Sequence, residues 1–250
     1  MIFYFTGNGN SRWIAEQIAA YTHDKLFNIA DVIKGKKTAP DISEEKRIGF
    51  IFPIYTWYAP HVVLNFARSL PIRPEMYCYA ICTCGDDTGK GMQVFTKKVP
   101  LAAAWSIAMP NTYIPMFELD STQKAEQKIK DATQCLPAIA ETILNCGSAW
   151  SVHEGSFPRI KTYVLNPLFM RFMIHPEKFH VEGHCISCGI CEKVCPVGNI
   201  KLQEGMPVWS DKCTHCMGCV HACPRHVIQY GKVTRKRGRY DLKELMPSDD

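Results

Sequence analysis

Thirteen cysteines are spread unevenly over the 250 residues: eight lie between positions 185 and 223, in two segments that superimpose with an offset of 28 residues. "CISCGICEKVCP" begins at Cys185 and "CTHCMGCVHACP" at Cys213, and both read C-x2-C-x2-C-x3-C-P. Thiols at this spacing suit iron–sulfur chemistry. Three cysteines set three apart wrap one cubane, while the proline ends the turn and directs the fourth thiolate to the other cluster. The expected ligand sets therefore cross between the runs: Cys185, Cys188, Cys191 and Cys223 form one, and Cys213, Cys216, Cys219 and Cys195 form the other. The alternative is structural zinc, since paired CxxC motifs also make tetrahedral S4 sites. Zinc leaves the third CxxC step and the two Cys-Pro endings without a role. His184, His215 and His221 adjoin these positions, and a complete thiolate set leaves them only hydrogen bonds that tune potential.

On these residues the chain resembles bacterial-type two-cluster ferredoxins over residues 179–231, with all eight ligand positions and both prolines matching. The resemblance implies one-electron transfer at low potential through two [4Fe-4S] clusters. The linker "NIKLQEGMPVWSDK", with a turn at Gly205, resembles the short hairpin of such domains.

A second chemically suggestive stretch lies at the other end, where "FTGNGNSRWIA" follows the apolar start "MIFY". A glycine-rich turn between a first strand and a first helix is an anion site, because free backbone N–H groups and the positive end of the helix dipole converge there. A P-loop would need a lysine after its glycines, and a dinucleotide fingerprint would need a small residue where Arg12 stands, so both fail. What remains is a loop of hydroxyls and amides, Thr6, Asn8, Asn10 and Ser11, spaced by Gly7 and Gly9, that can cradle a terminal phosphate without salt bridges.

These groups need a scaffold. Residues 1–146 alternate short apolar runs ("MIFYF", "LFNIA", "RIGFIFP", "MYCYAICT", "AWSIAM") with helix-like segments ("SRWIAEQIAAY", "PHVVLNFARSL", "KGMQVFTKKV" and a long one from Asp120 to Leu144). That pattern predicts an α/β fold with helices on both faces of a five-stranded parallel sheet. In the order 2-1-3-4-5 the ligand crevice lies at the switch point between strands 1 and 3. Two further loops then meet the phosphate loop: "PIYTWYAP" from Pro53, whose Tyr55, Trp57 and Tyr58 are available to stack on a flat ring, and the polar turn "TCGDDTGKG" from Thr83.

With these three loops in hand, residues 1–146 resemble a flavodoxin, and the whole chain resembles the flavodoxin–ferredoxin fusion proteins of anaerobic bacteria and archaea. The resemblance implies FMN, with Thr6, Gly7, Asn8, Gly9, Asn10 and Ser11 at its phosphate. It places Pro53, Ile54, Tyr55, Thr56 and Trp57 against the isoalloxazine, and Thr83, Cys84, Gly85, Asp86 and Asp87 at its pyrimidine edge. "MPNTYIPMF" also matches the fusions, which brings Asn111 or Tyr113 towards the flavin. Arg12 is a departure in an otherwise neutral loop, and Asp86 with Asp87 would disfavour an anionic reduced flavin. Cys82 and Cys84 read more simply as buried small hydrophobes than as a redox pair.

Composition narrows the rest. Cysteines at this density favour ligand clusters over a disulfide scaffold. The formal charge of +5 is largely cancelled if eight thiols ionise, so it does not point to nucleic acid. No run approaches the roughly 18 apolar residues of a membrane span, and no secretory leader opens the chain, which predicts a cytoplasmic protein. Residues 147–178 read as a connector and 232–250 as a polar tail over the surface, whose "KVTRKRGR" reads first as solvated, then as a dock for an acidic redox partner, with nucleic acid or an anionic membrane as the other readings. The function expected is an electron relay between FMN and the clusters, coupling two-electron to one-electron chemistry with another redox protein as donor, since no second glycine-rich turn offers a nicotinamide site. The alternative is an FMN-dependent reductase of a small substrate, drawing an acid from Tyr55, Tyr58, Tyr113 or His61.

Overall fold

The computed structural model describes residues 1–245; positions 246–250 of the expected tail lie outside the described residues. β1 (Ile2–Tyr4) leads through the first loop into α1 (Asn10–Thr22), then β2 (Leu26–Asn28), α2 (Ile29–Ile33), β3 (Arg47–Pro53) and α3 (His61–Ser69). β4 (Tyr77–Cys84), α4 (Gly91–Thr96), β5 (Ala103–Ala108) and the long α5 (Thr122–Leu144) complete the expected alternation. All neighbouring strands pair in parallel.

The sheet has six strands, not the five expected, in the order β2-β1-β3-β4-β5-β6. The sixth, β6 (Ala149–Ser151), pairs beside β5 and comes from the segment read as connector. Three residues with Trp150 half exposed are too short for a pattern of period two to register.

Side chains alternate across the sheet as a period of two requires. Phe3, Phe50, Phe52 and Ala80 face one core with Phe66 and Phe95. Ile2, Ile51, Tyr79 and Ile81 face the other with Trp13, Ile18, Ile129 and Leu136. The first core continues without a break into the cysteine region, through Val197, Ile200, Val220 and Ile228. One apolar interior thus spans both halves of the chain, which fixes their relative position by burial.

After β6 the chain forms one continuous helical stretch, α6 (Pro158–Ile160), a wider π turn (Lys161–Leu165) and α7 (Asn166–Phe172). The cysteine region follows: β7 (Phe179–Val181), α8 (Ile190–Val194), β8 (Ile200–Gln203), β9 (Met206–Trp209), α9 (Gly218–His221) and β10 (Ile228–Tyr230). β7 pairs antiparallel with β10, and β8 with β9 in the expected hairpin. Glu204 and Gly205 both take positive φ there, as a tight two-residue hairpin turn demands. The segment expected to trail over the surface instead folds back. Thr234 and Tyr240 are buried, and α10 (Leu242–Leu245) packs beside α5.

Candidate functional site

The 28-residue repeat is visible in the backbone. Ser187 and His215, Gly189 and Met217, and Gly198 and His226 are corresponding positions, and all six residues take positive φ. Each run is therefore the same coil. Left-handed residues two and four places after the first cysteine turn successive thiols inward, and backbone N–H groups follow them: Ser187 N–H donates to Cys185 Sγ at 3.5 Å, and His215 N–H to Cys213 Sγ at 3.3 Å.

The coils line two partly open cavities. One is lined by Cys185, Cys188, Cys191 and Cys223 among Ile190, Leu202, Val227 and other apolar groups. The other is lined by Cys195, Cys213, Cys216 and Cys219 beside Phe179, Val197 and Trp209. The structure thus brings together the two crossed sets of four. The donor set is all thiol and the walls are apolar. Among the described residues no three His, Cys, Asp or Glu side chains converge as ligands of a single ion would. Four thiols around a space, with N–H groups at their sulfurs, fit a four-iron cluster.

At the opposite end of the chain, α1 starts without a side-chain cap: Gly9, at φ 97°, is its N-cap residue. The N–H groups of Asn10, Ser11 and Arg12 point past the helix start and take no partner among the described residues. Three loops meet here. Ser11 Oγ and Thr83 Oγ1 lie 2.8 Å apart, and Thr83 O accepts from Ile54 N–H at 2.8 Å. Tyr55 and Tyr58 form a small bridge with positive φ at Thr56 and Trp57, which turns the aromatic loop back on itself.

Several residues play parts that the sequence does not show. The Tyr55 hydroxyl lies over Gly7, buried and without a partner among the described residues, so this ring is not free to stack on a ligand. Burial, followed by proximity to Cys216 and Cys213, holds its pKa well above the usual phenol range. Cys82 and Cys84 are buried in the sheet with protonated thiols; burial, then Asp87 and Asp86, pushes Cys84 up to about 12. Asp86 points outward towards Lys124 and Lys128, whereas Asp87 pairs with Lys161, so the two carboxylates are not a joint negative charge.

The side chains of the first loop turn to the cysteine region. Asn8 Nδ2 donates to Cys216 O at 2.7 Å and to Thr112 Oγ1 at 2.9 Å. Asn10 receives the Tyr240 hydroxyl on Oδ1 at 2.5 Å and donates to Pro110 O. Tyr113, expected near the flavin, instead reaches His215 Nδ1 at 2.8 Å, while His221 Nε2 donates to Thr112 O. Gly7 is indispensable at this contact: a Cβ there would fall 2.7 Å from Cys216 Cβ. What the first loop offers an anion is therefore its backbone, with Tyr55, and not the amide side chains.

The helical stretch from Pro158 closes the other side. Thr162 Oγ1 donates to Trp57 O at 2.9 Å and accepts from Lys90 N–H at 2.8 Å, and Asn166 Nδ2 donates to Thr56 O at 3.0 Å. Lys161 pairs with Asp87 and sits over the Trp57 ring at 5.5 Å. These contacts join positions about 70 to 110 apart, which local patterns cannot reveal. The uncapped helix, the free N–H groups and the unpartnered Tyr55 hydroxyl fit a phosphate-bearing ligand at the first loop.

A flavodoxin-domain family model matches residues 1–109, and a 4Fe-4S dicluster domain model matches residues 184–228. The chain thus joins a flavodoxin domain to a 4Fe-4S dicluster domain, the arrangement of a flavodoxin–ferredoxin fusion. Its cysteine region is 41% identical over 49 residues to a ferredoxin-like protein in the nif region of Trichormus variabilis, covering 19% of this chain and 42% of that one. It is 46% identical over 46 residues to ferredoxin-1 of Rhodobacter capsulatus, covering 16% of this chain and 71% of that protein. It is also 44% identical over 49 residues to a subunit of the ion-translocating oxidoreductase complex of Methanosarcina acetivorans, covering 19% of each. The chain spans about two fifths of the length of the first curated relatives it matches. The flavodoxin domain implies a flavin and the dicluster domain implies 4Fe-4S clusters. No helix among the described residues is long and apolar enough to cross a membrane.

Proposed function

We propose that the chain relays electrons between one FMN and two [4Fe-4S] clusters, coupling a two-electron donor or acceptor to one-electron traffic. The observation that supports this reading is the seating of Cys216 on Gly7, which sets one thiol-lined cavity against the first loop. When bound, FMN exchanges one or two electrons and each cluster exchanges one.

The residues divide the work. Gly7, Gly9 and the N–H groups at the start of α1 hold the phosphate, while Pro53–Trp57 and Thr83–Asp87 bound the ring. Cys195, Cys213, Cys216 and Cys219 hold the inner cluster and Cys185, Cys188, Cys191 and Cys223 the outer one. Cys188 is exposed, and Ile186 beside it is 49% exposed, so the outer set faces the solution where a second redox protein can approach. Lys161, Thr162 and Asn166 cover the ring loops and restrict water there. The match to subunits of redox complexes supports a protein partner, and the reduced thiols suit a cytoplasmic setting.

Anaerobic reconstitution followed by iron, sulfide and flavin analysis tests the assignment. About eight irons and one FMN per chain are expected. Full iron loading with no flavin retained at any concentration would leave an ordinary ferredoxin beside a domain for another ligand.

A further inference from the structure

The helical stretch from Pro158 to Phe172 has its polarity reversed relative to an ordinary surface helix, which buries an apolar stripe and shows water a polar one. Its fully buried side chains are both polar, Thr162 and Asn166, one turn apart and hydrogen-bonded to the backbone of the aromatic loop. The opposite face is apolar and exposed. Phe157 is 73% exposed, Phe172 59%, Val164 51% and Ile160 50%, with Leu168 between them. Singly exposed apolar residues are ordinary, but a continuous strip of this kind marks a binding surface.

Charge identifies what covers it. From Ser156 to Pro176 there is no acidic residue, and Arg159 and Arg171 are basic and exposed, whereas Lys161 turns inward to Asp87. Cations also rim the aromatic rings: Lys97 Nζ lies 5.9 Å from the centre of the Tyr163 ring, and the Arg171 guanidinium 5.6 Å from that of Phe172. Beyond its far end, where Gly231 N–H bonds Lys178 O, the exposed Lys178 and Lys232 stand with Glu177, which pairs with His175. Two copies of this face would set like charges against each other. Apolar side chains below a rim of lysine and arginine match a lipid surface with anionic headgroups, where long basic side chains reach the headgroups while the rings enter the acyl boundary.

We propose that the outer face of Pro158–Phe172 lies flat on an anionic bilayer, holding the protein at a membrane surface without spanning it. The inference is independent of the relay, because it rests only on this exposed face. Polar anchors on the inner side make sense of it: the helix is held to the protein by hydrogen bonds so that its apolar side stays outward.

The test uses the cofactor-loaded full chain and sedimenting vesicles, of phosphatidylcholine alone or with phosphatidylglycerol. Wild type should sediment with the anionic vesicles and far less with the neutral ones. The double variant Leu168→Glu/Phe172→Glu should lose at least about tenfold of that partition, with flavin and cluster absorbance unchanged because both side chains point away from the fold. No sedimentation with anionic vesicles, equal binding to both compositions, or equal binding by the variant would overturn the proposal. A wild-type dimer in solution that the same variant dissolves would also overturn it and assign the face to a second copy. For a variant that misfolds, Tyr163→Trp with brominated lipid gives a second reading: quenching is expected, and none would count against the proposal.

Discussion

Gly7 and Cys216 touch across the two halves of the protein: a Cβ on Gly7 would lie 2.7 Å from Cys216 Cβ and 3.2 Å from its Sγ, and the neighbouring Asn8 donates to the Cys216 carbonyl. A residue of the first loop and a residue lining the second thiol cavity therefore share one contact. Gly7→Ala should force the halves apart at a cost of about 1–3 kcal/mol, the usual range for overpacking. Denaturant unfolding measures the loss, and an alanine variant as stable as wild type would mean that the two halves do not meet as described.

Thr162 both donates to Trp57 O and accepts from Lys90 N–H while fully buried, so Thr162→Val leaves two backbone groups unpaired. A loss of roughly 1–3 kcal/mol follows from the desolvation of those groups. Faster proteolysis between residues 153 and 175 and weaker flavin retention should accompany it, and Thr162→Ser should restore both. Equal behaviour of the valine and serine variants would contradict the role given to the hydroxyl.

Legibility in the sequence tracks how local each feature is. The cysteine coils are legible because every left-handed turn and every thiol falls within a dozen residues, and the repeat states the pattern twice. The parallel sheet is legible because Phe50, Phe52, Ala80 and Cys82 sit in apolar runs buried on both faces. Tyr55 misleads: its spacing shows an aromatic residue in a loop, but only the fold shows its hydroxyl buried at the Gly7–Cys216 contact. Tyr240 is hidden in a polar, basic stretch, and its hydroxyl bonds Asn10, 230 positions away.

Tyr77 gives a pH dependence away from the cofactors. Its hydroxyl donates to Gly147 O at 2.7 Å, steadying the turn before β6. Burial, then the nearby Cys146, raises its pKa to about 12. A phenol whose folded pKa is raised contributes stability that is fully present below its unfolded value of about 10 and is lost as pH rises through the folded one. Tyr77→Phe should cost about 1 kcal/mol near neutral pH, and this deficit relative to wild type should shrink between pH ~10 and the folded value of about 12. Urea titrations at neutral and alkaline pH measure it; a deficit constant across that window would refute the assignment.

The two thiol sets should be separable by mutation. Cys188→Ser and Cys216→Ser are each expected to remove about four irons per chain. Only the second should uncouple the remaining cluster from the flavin, because Cys216 adjoins the phosphate loop and Cys188 faces solvent. Photoreduction of the flavin with absorbance read at the cluster bands distinguishes the two, and identical uncoupling by both variants would remove the inner and outer distinction.

The central claim is that flavin and clusters exchange electrons inside one chain. Rapid photoreduction of the flavin in the fully loaded protein, followed by cluster bleaching over a tenfold range of protein concentration, tests it most directly. The account predicts bleaching at a rate independent of concentration. A rate proportional to concentration, or flavin reduction with no bleaching at all, would contradict it.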